Sequence, residues 1–174
     1  PTRRSSDLHL RKLILNGRFS HIMSLIKFNN ECVHVIFLGL PNVPGIAAGI
    51  FQELSINNID VGMVTQNSMR GGRSDLSFLI HADKLDEIII LCRELSSKFG
   101  GQGVSFATEI AAITVEIKSP SESAQTLAKI FSALADVNIN IEIINSSSEA
   151  VIFIISSTRA QEGLKALEKV FNSY

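Results

Sequence analysis

The sequence predicts an α+β fold built from two βαββαβ units, each with its helices on one face of an antiparallel sheet. Three observations carry that expectation. "AGIFQELSINNIDVGMV" (Ala48 to Val64) and "AKIFSALADVNINIEII" (Ala128 to Ile144) align without a gap at an offset of eighty residues. In each copy the apolar spacing changes from about 3.6 residues to 2, the change from a helix to a strand. An asparagine marks both junctions, Asn58 and Asn138, and this residue type tolerates the left-handed backbone that ends helices.

Reading outward from the first copy, the run Val33 to Leu40 predicts a strand, Gly45 to Ile56 a helix, and Asp60 to Asn67 a second strand. "MRGGRS" follows as a turn, then strand Asp75 to Ile80, helix Lys84 to Phe99 and strand Gly103 to Thr108. The second unit reads as strand Ile113 to Ile117, helix Ala124 to Ala135, strands Asn140 to Asn145 and Ala150 to Ser156, and helix Arg159 to Asn172. It stops one strand short. "HIMSLIK" (His21 to Lys27) has strand character and is expected to supply the missing edge, which places the first unit inside the second. The expected units are 31–108 for the first and 21–30 with 109–174 for the second. Residues 1–20 are expected to be a non-native scar and linker remnant: "PTRRSSDL" back-translates to the end of a common sequencing adapter, so the natural protein should continue upstream.

Between the first strand and helix lies "LPNVPGIAAGIF" (Leu40 to Phe51). Pro44 has a fixed φ suited to a helix start, and Gly45 lets a ligand approach the backbone. The amides that follow point outward, a ready place for a carboxylate.

The chain has 174 residues, 45% hydrophobic, with 16 Lys plus Arg against 17 Asp plus Glu. A net charge of -1 offers no general attraction to nucleic acid or anionic lipid. Cys32 and Cys92 sit in apolar patterns without metal-ligand spacing and read as reduced core residues of a cytoplasmic protein. His9, His21, His34 and His81 are scattered, so no metal site is expected. No run reaches the length of a membrane span. The acids Asp83, Asp86 and Glu87 suit a solvated helix start.

The motifs "FLGLPNVPGIAAGIF", "INNIDVGMVTQN" and "GGRSDLSF" are together similar to the first ACT domain of aspartokinases, and "AKIFSALADVNINIEIINSSSEAVIFII" resembles the second. The resemblance covers about Ile22 to Phe171 in the family's order and implies two ferredoxin-like ACT domains. It further implies a regulatory region that binds threonine or lysine and inhibits the phosphorylation of aspartate. Partners implied are a second copy of the chain, pairing through ACT domains, and a kinase domain or catalytic subunit; ATP and magnesium would belong only to that kinase part. The effector would lie between one chain's first unit and the other's second. The effector residues carried over are Asn42, Gly45, Ala47, Gln66, Asn138, Asn140 and Ile141, and no catalytic residue is carried over.

Departures bear on these expectations. Asn42 stands where the family has Asp, and a charged hydrogen bond is worth about 1 kcal/mol more than a neutral one. The second unit's hook, "KSPSESAQ", lacks Pro-Gly. Met63 is kept, with Gly62 in place of the preceding Asp. "KFGGQ" (Lys98 to Gln102) imitates the phosphate loop of the family's catalytic domain, but it follows an amphipathic helix, where its glycines suit a C-cap. Two other function classes share the topology. RNA binding requires aromatic platforms and a basic field, neither of which the strands of the first unit offer beyond Phe37 and Phe78. The alternative is a structural dimerisation module that has lost effector binding.

Overall fold

Two four-stranded antiparallel sheets organise the chain in a computed structural model that describes residues 26–117 and 119–171. In order these are β1 (Ile26–Asn29), β2 (Cys32–Pro41), α1 (Ile46–Ile56), β3 (Gly62–Met69), β4 (Arg73–His81), α2 (Leu85–Lys98) and β5 (Gly103–Ala107). There follow β6 (Ile110–Glu116), α3 (Ser123–Asp136), β7 (Ile143–Ser146), β8 (Ala150–Ser156) and α4 (Ala160–Phe171). The sheet orders are β3-β4-β2-β5 and β1-β6-β8-β7.

These orders are the same arrangement twice. β1 flanks β6 as β5 flanks β2, both antiparallel, with Ile26 opposite Val115 and His34 opposite Ala107. The first unit is therefore inserted within the second, whose sheet is completed from upstream. Ile26 and Lys27 of the expected run lie in this strand, which continues to Asn29; residues 21–25 and the expected scar and linker lie outside the described residues.

Each sheet buries one face under its helices. In the first unit Val33, Val35 and Phe37 of β2 alternate inward with Leu76, Phe78 and Ile80 of β4, and meet Ile50 and Leu54 of α1 and Ile88, Cys92 and Leu95 of α2. The second core repeats this with Ile113, Phe153, Ile130, Leu134 and Leu167. The opposite faces of the two sheets touch at one end, where Cys32 and Leu79 pack with Ile110, Ala112 and Ile154.

Helix ends follow the asparagine signal. Asn58 and Asn138 have φ of 54° and 52°, and the next amides, Ile59 and Ile139, return to the carbonyls of Leu54 and Leu134 at 3.0 and 2.9 Å. Gly100, φ 70°, closes α2 in the same way, with Gly101 N to Ser96 O at 2.7 Å. "KFGGQ" is thus a helix cap, and Lys98 pairs with Glu53 at 2.9 Å.

Some boundaries differ from expectation for local reasons. Gly45 has φ 98°, so it caps α1 and the helix begins at Ile46, with Pro44 ahead of the cap. Met63, φ 40°, slips the pairing of β3 between Gly62 and Thr65 and delays regular strand. A short 3-10 turn, Ala82–Lys84, precedes α2.

Candidate functional site

The hook between β2 and α1 is held open by its backbone. β2 changes register between Phe37 and Leu40, and beyond Pro41 the amide of Asn42 donates to Gly72 O (2.8 Å), tying the hook to the β3–β4 turn. Val43 N donates back to Pro41 O (3.0 Å). With Pro44 lacking an N–H and Gly45 in the left-handed region, the chain turns at once into α1. No side chain caps this helix, and the first intrahelical bond runs from Gly49 N to Gly45 O (2.9 Å), leaving the first-turn amides directed outward.

Those amides border a pocket of about 390 Å³. Leu40 and Leu76, both buried, form its apolar wall, and Asn42, Gly45, Ala47, Gln66 and Ser74 supply the polar groups. Gln66 Nε2 donates to Ser74 Oγ (3.4 Å), and Asn42 Nδ2 to Ser68 Oγ (3.4 Å). A volume of this size suits a small molecule such as an amino acid. Four of the seven expected effector residues are here: Asn42, Gly45, Ala47 and Gln66. Ser74 was absent from that set although its position two residues before Leu76 gives it the same face of β4.

The other three, Asn138, Asn140 and Ile141, line a separate pocket of about 440 Å³ at the end of α3, together with Phe131 and Leu134. Within one chain the two groups do not meet. The corresponding end of α1 carries a matching depression lined by Phe51, Leu54, Asn58, Asp60 and Val61, each eighty residues before its counterpart. The copies differ in charge. Asp60 stands where the second unit has Asn140, whereas the residues lining the hook pocket and the α3 pocket are all uncharged.

Elsewhere the titratable groups serve the fold. Asp83 contacts His81 (2.8 Å), and Lys84 contacts Glu87 (2.9 Å), whose hydrogen bond raises the lysine pKa. Burial pushes the Cys92 thiol up to about 12 and raises Cys32 as well, marking both as packed thiols. Among the described residues no group of three or more His, Cys, Asp or Glu is placed to hold a metal, and no helix is long and apolar enough to cross a membrane.

Comparison with known proteins gives the same two units. The ACT domain matches residues 34–89, and a second ACT domain description matches residues 121–171. The chain is 27% identical over 150 residues to an aspartate kinase of Stutzerimonas stutzeri, covering 86% of this chain and 36% of that protein. It is 28% identical over 136 residues to an aspartokinase of Thermus thermophilus, covering 77% and 33%. It thus spans about a third of the length of these curated relatives. Among solved structures, the ligand-free regulatory subunit of aspartate kinase from Thermus thermophilus superposes with a TM-score of 0.77 at 26% identity, over 85% of this chain and 97% of that one. A structure of aspartokinase alpha and beta subunits gives 0.76 at 25%, over 86% and 98%.

Proposed function

We propose, from the premise that this chain belongs to the ACT-domain family as a tandem pair of the aspartokinase regulatory type, that it binds threonine or lysine and relays feedback inhibition to aspartate phosphorylation. The observation that carries the reading is the division of the ligand set: the hook pocket of the first unit and the α3 pocket of the second are each half lined for an amino acid. A second copy of the chain brings such halves together when one chain's first unit pairs with the other's second. Support for that pairing comes from the edge strands β3 and β7, on which Val64 and Ile144, eighty residues apart, are exposed in corresponding places, with Val61 and Phe131 exposed nearby.

In this reading the α-carboxylate sits on the first-turn amides of α1, where the helix dipole adds to their donors. The ammonium takes backbone carbonyls and the Asn42 amide oxygen, and Gln66 with Asn138 and Asn140 takes a side-chain hydroxyl. Occupancy stabilises one arrangement of the paired units, and the kinase part responds by as much as the ligand's preference between arrangements, no more. ATP and magnesium bind in the kinase part, and this chain's share of the chemistry is effector binding.

Calorimetry with threonine and with lysine tests the reading. A saturable heat that disappears in Gln66→Ala supports it. Absence of heat with both amino acids would favour a structural dimerisation module.

A further inference from the structure

The strand leading into the hook is anchored from behind. Gly39 occupies the register change of β2 with φ 56°, and both of its backbone polar groups turn to side chains of β4. Its amide donates to Asp75 Oδ1 (2.7 Å), and its carbonyl accepts from Arg73 Nη1 (2.6 Å). The same Nη1 donates to the carbonyl of Gly100 (2.9 Å), in the cap of α2. "KFGGQ" is thereby drawn against the root of the hook. Gln102 N donates to Leu38 O (2.8 Å), and a β-carbon on Gly39 would stand 2.5 Å from the Gln102 side chain. Arg73 and Asp75 share one face of β4, while Ser74 and Leu76, which line the pocket, face the other way.

The geometry points to Arg73 as a positioning residue of the amino-acid pocket: it ties the Gly39 bulge to the Gly100 cap and so sets where Leu40 to Gly45 stand, without touching the ligand. The assignment rests on the reading of the hook pocket as an effector site. Its physical basis is local. The chain runs only a few residues from Gly39 to Asn42, whose amide meets Gly72 beside Arg73, so slack at the bulge appears directly at the pocket rim. Without the guanidinium, two carbonyls at the root of the hook lose a charged donor.

Arg73→Met and Arg73→Lys in the whole chain decide it. Both bonds leave a single nitrogen, so the lysine ammonium is expected to replace them and the methionine is not. Amide hydrogen exchange followed by NMR in the free protein reads the Asn42 amide against the Ile139 amide in the other unit. In Arg73→Met, Asn42 exchange is expected to quicken on the order of tenfold or more with Ile139 unchanged, and Arg73→Lys to restore it. Threonine affinity by calorimetry is expected to fall on the order of tenfold in Arg73→Met and recover in Arg73→Lys. Asn42 protected as in the parent, Asn42 and Ile139 quickening together, or an unaltered affinity overturns the assignment. If the parent takes up neither threonine nor lysine, the effector reading fails, and the exchange comparison alone still decides the role of Arg73.

Discussion

Asn138 reproduces the backbone of Asn58: each ends its helix at φ near 50°, 52° and 54°, and each is followed by an isoleucine whose amide reaches back to a leucine carbonyl. The two share a conformation, but only Asn138 belongs to the proposed ligand set. Glycine keeps such a backbone without strain and removes the side chain. Asn138→Gly is therefore expected to fold with stability within about 0.5 kcal/mol of the parent while losing threonine affinity. Asn58→Ala is expected to keep affinity and lose about 1 kcal/mol, because alanine is strained in the left-handed region. Thermal unfolding and calorimetry on the pair check both, and a threonine affinity unchanged in Asn138→Gly would remove that residue from the site.

Charge at the hook sets the next expectation. The residues lining the hook pocket and the α3 pocket are uncharged, so a lysine side chain would bring an ammonium to a lining with no carboxylate to receive it. Threonine is expected to bind on the order of tenfold more tightly than lysine. Asn42→Asp places a carboxylate beside the ligand ammonium and should strengthen threonine binding by about 1 kcal/mol, roughly fivefold. A titration of both ligands against both proteins measures this, and weaker threonine binding in Asn42→Asp would count against an ammonium at that position.

The repeat made the architecture readable because it carries its own register. Ile50, Phe51 and Leu54 return as Ile130, Phe131 and Leu134, and a pattern that recurs with its helix-to-strand switch intact constrains two units at once. What local pattern did not convey was left-handed geometry inside strands. Met63 turns at φ 40° and Gly39 breaks the register of β2, and neither shows in apolar spacing. In the site, the backbone hook was legible through Pro44 and Gly45. Ser74 and the Arg73 to Gly39 contact were not: the first meets Gln66 across the β3–β4 hairpin, and the second joins positions thirty-four residues apart across a sheet.

Stability is expected to narrow with pH from both sides. His34, 6% exposed, has its pKa lowered by burial, so the unfolded chain binds a proton more readily; its contribution is present above about pH 6.5 and is lost as pH falls below that value. Cys92, fully buried, has its pKa raised to about 12 by burial. Its contribution is intact below the ordinary thiol value of 9.0 and declines from there toward about 12, as the unfolded chain ionises first. Denaturant unfolding across this range should show both flanks. His34→Gln should flatten the acid flank and Cys92→Ala the alkaline one, and a flank that keeps its slope in the matching variant excludes that residue as its source.

Ser96 supplies a test of packing behind the hook. Its hydroxyl, on a residue 3% exposed, has no hydrogen-bond partner, and it lies where a β-carbon on Gly101 would approach to 2.6 Å. A buried donor without a partner costs about 1–3 kcal/mol, and alanine favours the helix. Ser96→Ala should therefore stabilise the chain by about 1 kcal/mol, a rise of roughly 2–4 °C in Tm. Because the cap at Gly100 and Gly101 is untouched, threonine affinity should not change. A lower Tm would mean that the hydroxyl finds a partner in solution, and an altered affinity would mean that the end of α2 reaches the pocket by a route other than Arg73.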